Sequence, residues 1–241
     1  MAGTARFKFH ATLNVFLELH RKDTWINYSF VESPAVKDAL EAMGVPHPEV
    51  NAIVVNSSAV DFTYKLQSGD EVEVYPKGFQ ATINLIPNYS SPYTFVLDVH
   101  LGKLARLLRL LGFDTVFDAE LSEKELVTIA VNENRILLSR GVNILKHKTI
   151  AYGYWLRSQQ PEEQLQEVIR YYSLNGEFQV FTRCMVCNGA IVPVAKDKVQ
   201  EQLPPKSKLY FHEFYQCQHC WRVYWKGSHY ERMQQFIRNL T

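Results

Sequence analysis

Polar and apolar residues alternate through Arg6-Phe7-Lys8-Phe9-His10-Ala11, the period of a half-buried strand. Leu13 to Leu19 and Trp25 to Phe30 supply further strand material. Ser33-Pro34 reads as an N-cap followed by proline at the first helical position. Ala35, Val36, Ala39, Leu40 and Met43 make the apolar face of that helix, and Gly44 stops it. Ala52 to Asn56 predicts a strand, and Gly69-Asp70 turns the chain into the strand Glu71 to Tyr75. Strands, one helix, then strands again describe a β-grasp over residues 1–80.

From about residue 91 the pattern changes to strand–helix alternation. Tyr93 to Leu97 is an apolar strand. Leu101, Leu104, Ala105, Leu108 and Leu111 lie on one face of a helix that Gly112 ends. Thr115 to Phe117 is a second strand. Ser122 caps a helix through Asn132, with Glu125 as its capping-box partner. Arg135 to Leu138 is a third strand, Thr149 to Tyr152 offers a fourth, and Pro161 opens a helix through Tyr172. Such alternation gives an α/β domain, residues 91–178, with a parallel sheet and helices on both faces.

Ligands bind such sheets beyond the carboxyl ends of the strands. Asp98 follows the first strand, Asp118 the second, with Glu120 and Glu123 beyond it, and Ser139-Arg140-Gly141 the third. Converging carboxylates are what magnesium or manganese needs, and such an ion assists phosphodiester chemistry. Asp98 also suits a helix N-cap. Lys103, Arg106 and Arg109 follow at i, i+3, i+6 spacing. They form a phosphate-binding flank or an ordinary solvent-facing stripe.

All four cysteines fall into two CxxC pairs, Cys184/Cys187 and Cys217/Cys220. Two such turns supply the sulfur tetrahedron of a structural zinc site, predicting a metal-stapled module over residues 179–241. Disulfides would need an oxidising compartment, and a redox CxxC usually stands alone. The spacer between the pairs is longer than usual, so a hairpin excursion is expected to fill it. His219 and His212 read as surface residues beside four thiolates. Met1 to Arg6 lacks the apolar run of a secretory signal, and no apolar run is long enough to span a membrane. A cytoplasmic location is expected.

Charge sharpens the division. The 241-residue chain carries a net +1, yet residues 183–241 hold nine Lys and Arg against four Asp and Glu. The cysteine module is thus the basic part, which suits contact with a phosphate backbone but also a simple solvated face.

The run "AVKDALEAMGVPHPEVNAIVVNSSAV…LQSGDEVEVYP" resembles the ubiquitin-like sulfur carriers of thiamin and molybdopterin synthesis. Those carriers work through a C-terminal Gly-Gly. Here Pro76-Lys77-Gly78-Phe79 follows and the chain continues. A binding or scaffolding role, with a protein partner, is expected instead. The stretch "FVLDVHLGKLARLLRLLGFDT…LSEKEL…RILLSRG", with "RCMVCNGAIVPV…FYQCQHCWRVYWKGSHYERM", resembles the Mut-seven C-terminal ribonuclease family. That resemblance implies a PIN-like nuclease fold followed by a zinc ribbon, and often a ubiquitin-like domain in front.

The resemblance matches the family's first aspartate to Asp98 and its second to Glu123, beside Lys124. The third falls on Gly141, which offers no ligand. Two expectations follow. The first is a magnesium- or manganese-dependent ribonuclease: Asp98 and Glu123 hold the ion, Asp118 assists, Lys103, Arg106 and Arg140 bind phosphate, and the zinc ribbon grips RNA. The alternative is a catalytically weakened PIN-like module that binds RNA or a protein.

Overall fold

In the N-terminal segment β1 (Ala2–Phe9) buries alternate residues, Ala5, Phe7 and Phe9 among them, as its polar–apolar alternation requires. The computed structural model describes residues 2–77, 89–90 and 92–238. β1 pairs antiparallel with β2 (Ile26–Val31). After α1 (Val36–Ala42) come β3 (Val50–Val55), β4 (Ser58–Val60) and β5 (Glu71–Pro76). The five strands order β2-β1-β5-β3-β4, and β1 and β5 run parallel at the centre. Phe7, Phe9, Leu13, Leu40, Ile53 and Val74 fill the core of this β-grasp.

Two local expectations need correction. Leu13 to Leu19 is not a strand: Ala11–Phe16 and Leu19–Arg21 are short 3-10 turns. The cause is Asn14, whose buried amide donates to the Phe9 carbonyl and the Asp23 carboxylate and accepts the Asp23 amide. That closes a loop where alternation alone suggests extension. The first helix is capped by Ala35 rather than Ser33, without a side-chain cap bond. Pro34 and Val36 are bonded to the chain at Leu66 and Tyr64, which keeps the Ser33–Ala35 stretch extended. Gly44 does end the helix region, at φ +103°. Gly78 and Phe79, where the sulfur-carrier comparison ends, lie outside the described residues.

The central segment contributes β6 (Thr94–Leu97), α2 (Gly102–Leu110), β7 (Asp114–Val116), α3 (Glu123–Asn132), β8 (Ile136–Ser139), α4 (Val142–Leu145), β9 (Gly153–Trp155) and α5 (Pro161–Tyr172). β6 and β7 are parallel, and so are β8 and β9. The capping box at Ser122 and Glu125 forms as expected. The last strand lies at 153–155 and not at 149–152, because Ile150 closes a turn onto His147.

The C-terminal segment folds as a three-stranded antiparallel sheet, β10 (Ile191–Val194), β11 (Phe214–Cys217) and β12 (Val223–Trp225). Val199, Leu203 and Phe214 form its small core. Between the cysteine pairs, β10 is followed by the short helices α6 (Lys196–Val199) and α7 (Pro205–Tyr210) instead of a hairpin. Pro204 and Pro205 start α7 and break continuous strand pairing there. A final helix α8 spans Ser228–Arg238.

By compactness the chain divides into one unit of Met1–Pro92 with Ser122–Trp155 and another of Tyr93–Leu121 with Leu156–Thr241. Among the described residues, no helix is long and apolar enough to cross a membrane.

Candidate active site and metal centre

The four cysteines converge. Their sulfurs all lie within 4.8 Å of one another, with Cys184 and Cys220 at 3.6 Å and Cys187 and Cys217 at 3.4 Å. A zinc–sulfur bond near 2.3 Å places tetrahedral sulfurs about 3.8 Å apart, so the donor set fits such an ion. The two CxxC turns are built alike. In each, the first cysteine's carbonyl accepts an amide four residues on, from Asn188 and from Trp221, at 2.9 and 3.2 Å. In each, the first cysteine's amide reaches the carbonyl five residues on, at Gly189 and Arg222. Asn188 and Trp221 both take left-handed angles, φ +68° and +60°. Gly189 admits no side chain, since a Cβ there would sit 2.8 Å from the Cys217 sulfur.

Burial pushes the thiols of Cys187 and Cys220 upward. At Cys184 burial acts the same way. The Tyr224 hydroxyl, 3.0 Å away, and the amides of Cys187 and Val186 outweigh it and hold this thiol well below its usual range. Such donors stabilise a thiolate, the form that binds a metal. His219 is exposed and is not among the clustered groups, nor is His212.

The first CxxC turn is fastened to the strand–helix segment. Arg109 is 4% exposed and donates to the carbonyls of Thr115, Met185 and Val186. Asn188 accepts the Thr115 amide and donates to Asp114, which also pairs with Arg183 at 3.1 Å. The expectation that Arg109 continues a phosphate-binding flank is therefore wrong. Four residues after Ala105, it stands at the border of the buried face of α2, and its guanidinium is spent on carbonyls. Its position beside that face was the available signal. Lys103 and Arg106 remain exposed.

Asp98 is 8% exposed. It follows β6 and accepts the amide of His100 at 3.0 Å, while its carbonyl accepts from Leu101. It thus closes a turn ahead of α2, whose N-cap is Leu101 and not Asp98. β6 and β7 pair through Val96 and Val116, so Asp98 and Asp118 each stand two residues beyond the same register pair. Gly102 lets the start of α2 approach the Phe117 ring just past β7, because a Cβ there would meet that ring at 2.9 Å. Asp118 is exposed and accepts the Glu120 amide.

Glu123 is exposed in the first turn of α3. With Lys124, Thr128, His147 and Thr149 it lines a groove of about 550 Å³. No sequence motif marks His147 or Thr149 as part of a groove; Thr149 suggests only strand material. Arg140 is exposed after β8. Its neighbour Gly141 donates its amide to the Ser139 hydroxyl at 2.8 Å and caps α4 without a side chain. Among the described residues, the cysteines form the one group of three or more His, Cys, Asp or Glu side chains brought within metal-binding range.

The sequence profile described as the Mut7-C RNAse domain matches residues 93–237, and that described as Mut7-C ubiquitin matches residues 2–82. No curated protein matches the chain.

Proposed function

Because the chain belongs to the Mut7-C RNAse domain family, we propose that it is a metal-dependent endoribonuclease that hydrolyses RNA phosphodiester bonds. The observation that carries this reading is the family match over residues 93–237, which spans a buried carboxylate, Asp98, at the carboxyl end of a parallel strand. Asp98 and Glu123 hold a magnesium or manganese ion, and Asp118 assists from the end of the neighbouring strand. A divalent ion there would supply charge stabilisation to the phosphodiester transition state. Lys103, Arg106 and Arg140, all exposed, bind phosphate oxygens.

The four thiols hold a structural zinc ion, with no open position for chemistry. The ribbon around it grips single-stranded RNA. Its support is the basic charge of residues 183–241 and the exposure of Tyr210 and Trp221, 74% and 64%, the kind of ring on which unpaired bases stack.

A second reading rests on position 141 and on the carboxylates. Glycine offers no ligand there, and among the described residues no three carboxylates form a metal-sized group. These favour a weakened module that binds RNA or protein without cutting.

Incubating the full chain with a labelled single-stranded RNA, in manganese or in chelator, separates the two. The nuclease reading expects manganese-dependent fragments. RNA retained in complex and uncut at every metal concentration supports the second reading.

A further inference from the structure

Within the unit of residues 1–92 and 122–155, the β-grasp is bonded to the segment leading into β9. The Lys37 ammonium donates to the Lys148 carbonyl at 3.0 Å, and Lys148 returns to Asp38 at 3.4 Å. His47 donates from Nε2 to the Ile150 carbonyl at 2.6 Å. Glu49 accepts the amide of Trp155 at 2.7 Å. Phe16 packs against the Trp155 ring, centroids 5.3 Å apart. The Trp155 indole N–H donates to the carbonyl of Arg140 at 3.0 Å.

β9 is the last strand of its sheet. An uncovered edge presents unpaired amides and carbonyls that invite wrong pairing. Here Glu49 meets the one β9 backbone group among these contacts, the amide of Trp155, and other β-grasp side chains meet the carbonyls of residues 148 and 150 in the segment leading into β9. Glu49 is only 1% exposed. A carboxylate removed from water at that cost is held only while its hydrogen-bond partners stay in place. Contacts of this kind suit a permanent fit better than an occasional encounter.

We propose that the partner of the β-grasp module is the nuclease segment of its own chain, and that Glu49, acting through Trp155, is a positioning residue for the Arg140–Gly141 loop. The line of force is short. Glu49 fixes the Trp155 backbone, Phe16 fixes its ring, and the indole fixes the Arg140 carbonyl. The Ser139 hydroxyl then closes the loop, accepting the Gly141 amide and donating to the Gly141 carbonyl. Docking stands on the contacts alone. The consequence for cleavage rests on the nuclease reading, in which Arg140 binds phosphate.

Hydrogen exchange across residues 139–145 of the full chain tests the docking. Glu49→Ala removes the acceptor from another domain, and Trp155→Phe removes the indole donor while keeping a ring against Phe16. Each is expected to speed exchange in that peptide about tenfold, the scale of one lost hydrogen bond. Glu49→Gln, which keeps an acceptor oxygen, restores slow exchange. Wild-type exchange in both disruptive variants overturns the proposal. Should Glu49→Ala lose its fold, Phe16→Leu, which removes the other β-grasp contact to Trp155, decides the docking in the same way, while Trp155→Phe decides the link to Arg140.

In cleavage assays Trp155→Phe raises KM for RNA by roughly tenfold with a smaller change in kcat, the mark of a lost ground-state contact. An unchanged KM overturns the positioning role. A wild-type chain that cuts no RNA sinks the nuclease reading instead, and the exchange result still decides the docking.

Discussion

At position 141 an added Cβ would meet only the Ser139 hydroxyl, at 3.6 Å, and the backbone angles, φ −96° and ψ 121°, suit any side chain. Gly141→Asp therefore fits without strain. Aspartate is also a good N-cap for α4, worth a few tenths of a kcal/mol over glycine. Manganese-dependent cleavage should rise roughly tenfold or more, because charge stabilisation by a better-held ion is worth several kcal/mol. An unchanged rate in a normally folded variant would show that the missing acid does not limit the site. Arg109 makes the opposite kind of case. Arg109→Ala leaves three carbonyls without their donor and should cost about 2–3 kcal/mol in denaturant unfolding. Lysine should not restore it, because one ammonium cannot reproduce the planar fork. A loss within experimental error would contradict the fastening role. Sequence made the cysteines legible, since metal chemistry fixes their spacing. It did not reveal Arg109, because a buried arginine at a helix-face border looks like any cation in a solvent stripe.

At the scale of elements, His47 links titration to the β-grasp. Burial, reinforced by the Lys37 charge, pushes its pKa down to about 4, although its bond to the Ile150 carbonyl acts the other way. In the unfolded chain the ring takes its proton near pH 6.5. The unfolded state therefore binds more protons between these values. This contribution to stability is full above about pH 6.5 and is lost as the pH falls toward 4. Glu41, 2.6 Å from the His47 Nδ1, is raised by burial. Its own contribution has the opposite sign and is lost as pH rises through its raised pKa. Thermal melts of wild type and His47→Gln should diverge in slope between pH 6.5 and 4, the wild type losing stability more steeply. Parallel slopes would show that the ring titrates in the folded state as it does in water. The α2 and α3 boundaries were legible from apolar periodicity and capping chemistry. The region 11–21 was not, because a single buried asparagine overrides alternation by bonding two distant backbone positions. β9 was misplaced by four residues for a like reason: the turn at His147 and Ile150 depends on contacts outside the segment.

At the scale of the whole molecule, three segments differ in fold: a β-grasp, a parallel α/β segment, and a four-cysteine ribbon. Metal analysis of the purified chain should find about one equivalent of zinc, lost in Cys217→Ser together with the fold of β10 to β12. A metal-free chain with that sheet intact would contradict the ribbon. The order of the segments was readable from hydrophobic period and composition alone. Their mutual fastening was not, because Glu49, Trp155, Arg109 and Asn188 act across long stretches of chain that no local pattern connects. The proposed nuclease site was legible only as a set of strand-end carboxylates, since acidic residues after strands are common and whether they converge is a property of three dimensions.

In the proposed nuclease, Asp98 holds the ion on which RNA cleavage depends. The direct test of that role is manganese-dependent cleavage of a single-stranded RNA by Asp98→Asn beside wild type, with zinc content and melting temperature matched. The substitution keeps the shape of the turn at His100 and removes the charge. Cleavage by the wild type and its loss, by roughly a hundredfold or more, in the variant is the expected result. Full activity in Asp98→Asn would contradict the account.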